Sequence, residues 1–114
     1  MATYLIQVAY NTDGWKGLIA SPQDRMKAIT PAVEQLDGSV VAGWLAFGDY
    51  DVVAIIDLPT NVSAAAFSMA VSAGGTVKAF KTTPLMSMEE AVTAMDLAAE
   101  SLYEPATAAE TITR

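Results

Sequence analysis

Residues 39–58 read SVVAGWLAFGDYDVVAIIDL, two apolar segments that meet at Gly48 and Asp49. Both segments are rich in Val, Ile and aromatic residues, which favours strands over helices. A two-residue connection that begins with Gly is typical of a type II′ β-turn. The stretch therefore predicts a β-hairpin with strands over 39–47 and 50–58.

The position of the turn also predicts which residues share a side of the hairpin, because successive side chains of a strand point to opposite faces. One side is apolar and is expected to lie under helices, with the pairs Phe47–Tyr50, Leu45–Val52, Gly43–Ala54 and Val41–Ile56. The other side is also mostly apolar, with the pairs Val40–Asp57, Ala42–Ile55, Trp44–Val53 and Ala46–Asp51. We call this second side the open sheet face.

An open sheet face with this composition is not expected to stay in water. Either a helix predicted near the C-terminus, described below, covers this face or another subunit does. We favour a homo-oligomer, because symmetric self-association is common among small soluble proteins.

Upstream of the hairpin, residues 3–10 have the composition of a strand and end at a cluster of turn residues. Alternation places Ile6 and Val8 on the helix side and Leu5 and Gln7 on the open side.

A first helix is predicted to start at Ser21 and Pro22, because Ser is a good N-cap and Pro fits the first helical position. Its apolar residues recur at helical spacing: Met26, Ile29, Val33 and Leu36. Pro31 lies inside this pattern and is expected to kink the helix or to remove one of its hydrogen bonds.

Downstream, a second helix is predicted from 59–61 to the glycine pair 74–75. A fourth strand over 76–83 should stop at the proline that follows it, and its faces are ambiguous because Val77 and Phe80 point opposite ways. Ser87 and Glu90 form a capping box that starts a third helix. The apolar stripe of this helix is Met88, Val92, Met95, Ala99 and Leu102.

This order of elements predicts an α+β fold, a ferredoxin-like split βαβ sandwich (βαββαβ) with an added C-terminal helix. Both crossover helices are expected on one face of the sheet. We predict a domain over residues 1–84, followed by an acidic C-terminal helix and a mobile tail over 85–114.

Composition excludes several classes of chemistry. The 114 residues contain no His and no Cys, which removes Ser-His-Asp and Cys-His nucleophiles, thiolate redox chemistry and His- or Cys-ligated zinc. A net charge of −7 argues against nucleic acid and anionic membranes as partners. We expect no cofactor and no metal. We see no targeting segment and no membrane span, and expect a cytoplasmic protein.

The acidic charge is unevenly distributed. Residues 1–84 contain seven acids and five bases, whereas residues 85–114 contain six acids and one base. The low net charge of residues 1–84 is consistent with a domain that self-associates. The acidic extension is a possible docking segment for another protein.

Asp49, Tyr50 and Asp51 are the sharpest local cluster of chemical groups. They could form a small pocket in which a carboxylate and a phenol bind or deprotonate a polar substrate. The structural interpretation makes Asp49 a turn residue, Tyr50 a core anchor and Asp51 a satisfied carboxylate at the end of a strand. We favour the structural interpretation, because Gly and Asp are ordinary turn residues.

Trp44, Tyr10 and Arg25 complete the binding candidates. Trp44 could line a cavity between subunits, although we favour a role as interface anchor. Arg25 could bind an anionic ligand, although we favour pairing with an aspartate: Asp24, Asp49 or Asp51. The methionines at helical spacing, Met26, Met88 and Met95, are interpreted as core residues rather than a soft metal site.

The chain resembles the GYD-domain family, named for the triplet 48–50, which continues here as Asp-Val-Val over 51–53. The resemblance includes Ala-Thr-Tyr at 2–4, Ser-Pro-x-x-Arg at 21–25 and Leu-Asp-Gly at 36–38. It covers roughly residues 2–83. It implies a ferredoxin-like fold similar to the dimeric α/β-barrel proteins, a tendency to self-associate, and no established reaction. Pro31 and the extension 85–114 depart from the family pattern.

Three functional hypotheses follow. The first is a homo-oligomeric module of unestablished activity that associates through the open sheet face. The alternative is a cofactor-free enzyme or small-molecule binder with a Tyr/Asp/Trp pocket near the subunit interface; this rests on fold-level analogy alone. The third is recruitment of another protein by the C-terminal extension.

Overall fold

A computed structural model describes residues 1–106, which form eight elements: a sheet, helices packed on it and one projecting helix. These elements are β1 (Ala2–Tyr10), α1 (Thr12–Ala20), α2 (Arg25–Gln35), β2 (Ser39–Leu45), β3 (Val52–Leu58), α3 (Asn61–Ala73), β4 (Val77–Leu85) and α4 (Met88–Ala99). The strands form one antiparallel sheet in the order β2-β3-β1-β4. The α+β ferredoxin-like fold with an added C-terminal helix is confirmed. Most of the predicted mobile tail lies outside the described residues.

The core lies between the two central strands and helices α2 and α3. Alternate residues of β1 and β3 are buried on this side: Tyr4, Ile6, Val8, Tyr10, Val52, Ala54, Ile56 and Leu58. Val33 of α2 and Phe67 of α3 complete the core. The two-residue period of the sequence therefore predicted the buried side of both central strands correctly.

The hairpin loop is longer than predicted. The last hydrogen bond between β2 and β3 runs from the Ala46 N–H to the Asp51 carbonyl oxygen, at 2.8 Å. Four residues, 47–50, therefore connect the strands instead of two. Phe47 is 97% exposed, so the predicted Phe47–Tyr50 pair under the helices is wrong. Asp51, at which the pairing of β2 with β3 ends, also bonds to β1: its N–H donates to the Val8 carbonyl oxygen at 2.8 Å.

A β-bulge in β2 changes one end of the predicted register. The predicted pairs from Leu45–Val52 to Ala42–Ile55 are confirmed. Beyond them, the register shifts so that Val40 lies opposite Ile56. The predicted pairs of Val41 with Ile56 and of Val40 with Asp57 are therefore wrong, because a bulge inserts one residue and exchanges the faces of those beyond it. Val40 packs against the core and Val41 is 57% exposed.

A second bulge lies between β1 and β4 and resolves the ambiguous faces of β4. The register shifts between Ala9 and Tyr10, so Val8 lies opposite Phe80 while Tyr10 lies opposite Val77. Both β4 side chains then pack against the core on the helix side.

The prediction that β4 stops at Pro84 is wrong, because the strand continues to Leu85. Strand β4 is at the edge of the sheet, where a proline without an N–H is tolerated.

Helix α2 begins later than predicted. Its N-cap is Asp24, whose Oδ1 accepts the Met26 N–H at 2.9 Å. The predicted start at Ser21 and Pro22 is wrong, because these residues connect α1 to α2 and the Asp24 carboxylate supplies the cap. The predicted apolar stripe of this helix is confirmed, with Val33 fully buried.

Helix α4 has the predicted capping box, with Ser87 and Glu90 each accepting the backbone N–H of the other. It makes at most marginal contact with the other elements. Met88 and Met95 are 77% and 62% exposed, so their assignment to the core is wrong: the helix projects instead of packing on its own sheet. No helix within residues 1–106 is long and apolar enough to cross a membrane.

Replacing Gly38 tests the packing of α2 on the sheet. A Cβ at this position would collide with the Asp57 carbonyl oxygen and with Leu58. We expect Gly38→Ala to lower the free energy of unfolding by about 1–3 kcal/mol, the usual cost of overpacking. The measurement is urea denaturation monitored by circular dichroism.

Gly48→Ala is the matched control, since a Cβ there would meet nothing within 4 Å. We expect it to leave the unfolding midpoint nearly unchanged. Equal effects of the two substitutions would contradict the close approach at Gly38.

Candidate functional site

A cavity of about 310 Å³ opens between α1, the start of α2 and the edge strand β2. Its walls combine aromatic and aliphatic side chains with a few polar groups. The lining residues are Tyr10, Trp15, Leu18, Pro22, Gln23, Asp24, Arg25, Met26, Gly43, Trp44, Leu45 and Val52. We call this space the outer cavity. Its volume is at the lower end of the range for small-molecule sites, about 300–1,000 Å³.

A smaller cavity of about 60 Å³ lies further into the core. Four residues line both cavities: Tyr10, Arg25, Met26 and Val52. The remaining wall of this inner cavity is apolar except for Thr76. One phenol and one guanidinium therefore lie where the outer cavity borders the inner one.

Tyr10 is the last residue of β1, and its ring packs edge-on against Trp15 with the centroids 5.4 Å apart. Burial raises the pKa of its phenol; the charge of Arg25 and a side-chain hydrogen bond with it act in the opposite direction, and the charge of Asp51 raises the pKa further. The net effect is an increase from the usual value of 10.0. At neutral pH Tyr10 is therefore a hydrogen-bond donor and not a base.

Arg25 is the first residue of α2 and is half-buried. Its Nη1 donates to the neutral amide oxygen of Gln23 at 2.8 Å. The predicted pairing with an aspartate is not observed among residues 1–106. The Asp24 carboxylate caps α2, and the Asp51 carboxylate accepts from β1.

Asp51 joins three strands beside Tyr10 but does not itself line the outer cavity. Its Oδ2 accepts the Tyr10 N–H at 2.8 Å. Its own N–H donates to Val8 of β1, and its carbonyl oxygen accepts from Ala46 at the end of β2. One residue therefore fixes the backbone from which the Tyr10 side chain extends.

The structure brings together only part of the predicted cluster. Trp44 borders the outer cavity and is 58% exposed. Asp49 and Tyr50 lie in the hairpin loop and do not line it. Tyr10, Arg25 and Trp44 thus share one site, with Asp51 behind Tyr10.

Sequence reasoning missed the apolar wall of this site. Trp15 and Leu18 of α1 and Met26 of α2 supply much of it. The spacing of Trp15 and Leu18 by three residues was an available signal, because residues three apart share one face of a helix. Only the packing of α1 beside the start of α2 shows that this face meets Arg25.

The open sheet face is a second candidate site. Leu5, Val53 and Ile55 are half-buried there, and Trp44 lies at its edge opposite Val53. The Asp57 carboxylate is partnered, since it accepts a 2.6 Å hydrogen bond from the Thr3 hydroxyl. The described residues place no helix over this face.

No group of three acidic side chains within residues 1–106 is arranged to hold a metal ion.

A family model described as the GYD domain matches residues 4–95. The match extends into α4, so the expectation that the family pattern ends near residue 83 is wrong for residues 84–95. No curated protein and no solved structure matches the chain.

The protonation of Tyr10 can be measured by ultraviolet titration. Subtracting the titration of Tyr10→Phe from that of the wild type isolates one of the four tyrosines. We expect the isolated phenol to titrate above pH 10, because burial disfavours its charged form.

The same shift predicts the sign of a stability change. The native state holds the Tyr10 proton more tightly than the unfolded chain does. The contribution of this group to the free energy of unfolding is therefore fully present below pH 10 and is lost as the pH rises from 10 through the raised native pKa. Tyr10→Phe should lack this component. An isolated phenol that titrates at or below pH 10 would contradict this description of the site.

Proposed function

Since the chain belongs to the GYD-domain family, we propose that it is a small homo-oligomeric module that self-associates through its open sheet face. The family resemblance implies self-association and supplies no established reaction. One observation carries the proposal: within residues 1–106, two apolar surfaces are not covered by any other part of the chain.

The first surface is the open sheet face itself. Leu5, Val53 and Ile55 form its centre on the two central strands, and their side chains point away from the helices. Large exposed apolar patches on soluble proteins mark interaction sites. Trp44 at the edge is the residue type most often found as an interface anchor.

The second surface is the apolar stripe of α4. Met88, Val92 and Met95 are spaced by three or four residues and are all more than half exposed. A 12-residue helix is marginal in water on its own, so it needs tertiary or quaternary packing. In a self-associated form, the α4 stripe of one copy and the open sheet face of another can bury each other.

Charge supports the same arrangement. Glu89, Glu90 and Asp96 lie outside the stripe, on the polar side of α4. Lys81 lies opposite Gln7 on the open sheet face. With α4 packed on the partner's sheet, its acidic side faces water, and Lys81 of that sheet can contact acidic side chains at the edge of the helix.

A second candidate function is small-molecule binding in the outer cavity. The favouring observation is that the cavity brings three predicted candidates together: Tyr10, Arg25 and Trp44. Binding fits better than base catalysis, because Tyr10 keeps its proton and the Asp24 carboxylate is used as a helix cap.

Light scattering coupled to size-exclusion chromatography tests self-association. We expect a mass of twice the 12.0 kDa chain or more at micromolar concentration.

Ile55→Asp should raise the dissociation constant about 30-fold or more, since loss of an interface anchor costs about 2 kcal/mol or more. Met95→Asp should act in the same direction, and α4 makes too few contacts within its own chain for this change to unfold the domain.

Val62→Asp is the control, because this side chain is 79% exposed on α3, away from both surfaces. We expect it to leave the mass unchanged. A monomeric wild type, or equal weakening by all three substitutions, would overturn the proposal.

A further inference from the structure

We infer that the outer cavity binds a small carboxylate with one negative charge and a compact apolar body, such as an aromatic acid, and that Arg25 holds the carboxylate. This rests on the ligand-binding function proposed above and adds the chemical class of the ligand.

The charge of the ligand follows from Arg25. Its guanidinium lines both cavities, and its side-chain hydrogen bonds go to two uncharged groups, the Gln23 amide oxygen and the Tyr10 phenol. No carboxylate among the described residues pairs with it. A planar guanidinium offers parallel N–H donors that match the two oxygens of a carboxylate. Asp24 also lines the outer cavity, but its carboxylate caps α2 and is not paired with Arg25, so the half-buried cation has no ion-pair partner among residues 1–106.

The protonated Tyr10 hydroxyl supplies a second donor beside Arg25. A phenol that donates to a carboxylate oxygen adds direction to the ion pair, because the hydrogen bond fixes where that oxygen lies. The two donors line both the outer and the inner cavity.

The apolar body of the ligand follows from the rest of the wall. Trp15, Leu18, Met26 and Leu45 surround the outer cavity with aromatic and aliphatic carbon. The Tyr10 and Trp15 rings already meet edge to face, an arrangement that an aromatic ligand can extend. A cavity of about 310 Å³ limits this body to a single ring or a short branched chain.

Nearby acids favour a monoanion over a phosphate. Asp24 lines the outer cavity, and the charge of Asp51 acts on the Tyr10 phenol. Among the residues that the structure describes, Arg25 is the one cationic side chain that lines the outer cavity, so it can neutralise a monoanion, whereas a dianion would leave a second negative charge unpaired beside Asp24.

Titrations of the full-length protein with benzoate test the proposal, followed by amide NMR shifts and tryptophan fluorescence. Benzamide is the neutral probe of the same shape, and phenyl phosphate is the dianionic probe. We expect benzoate to shift residues of the outer cavity and both other probes to bind at least tenfold more weakly. Benzamide is weaker because a hydrogen bond to a charged group contributes more than one to a neutral group. Phenyl phosphate is weaker because its second negative charge has no cation to pair with among the described residues of the cavity.

Arg25→Met removes the charge and keeps the length of the side chain. It should weaken benzoate binding at least tenfold, while Arg25→Lys should weaken it less. Lys27→Met is the matched control: it removes the same charge from an exposed position of α2 that does not line the cavity, so affinity should be unchanged. Circular dichroism of each variant verifies that it is folded.

Two results would overturn the proposal, and they differ in what they leave standing. If benzamide binds as well as benzoate and Arg25→Met has no effect, the cavity binds small molecules but the anionic class is wrong. If no probe shifts any residue of the outer cavity at millimolar concentration, the ligand-binding function itself is wrong.

Discussion

Three hydrogen bonds at Asp51 hold together the end of the sheet on which the candidate site is built. Its side chain accepts from Tyr10, its N–H donates to Val8, and its carbonyl oxygen accepts from Ala46. A carboxylate is suited to this place because it can accept the Tyr10 N–H, which lies beyond the last β1–β3 pair, Val8 with Val52. With Tyr10 fixed, its ring meets Trp15 and its hydroxyl faces Arg25.

The buried faces of the central strands could be predicted from the sequence, but the two β-bulges could not. Alternation along β1 and β3 gave the buried side correctly, because Ile6, Ala54 and Ile56 follow a strict two-residue period. The two bulges could not be found in this way. At Val40 and Val41 both residues are apolar, so the pattern does not show which of them faces the core.

The candidate site was predictable by residue type but not by arrangement. Tyr10, Arg25 and Trp44 stood out as a phenol, a cation and a large aromatic residue, and the structure places them at one cavity. Asp49 and Tyr50 were predicted to belong to the same cluster but do not line the cavity, because they lie in a hairpin loop that is longer than predicted. Arg25 was expected to pair with an aspartate, yet each nearby carboxylate is engaged by a backbone N–H, which no charge pattern reveals.

Hydrogen exchange at the Tyr10 amide tests most directly whether Asp51 acts as this structural junction. In the wild type we expect the Tyr10 N–H to be protected, since it donates to the Asp51 carboxylate. Asp51→Ala should speed its exchange at least tenfold while the core amide of Ile56 stays protected, and Asp51→Asn should retain part of the protection because its amide oxygen can still accept. Unchanged protection of Tyr10 in Asp51→Ala would contradict the account.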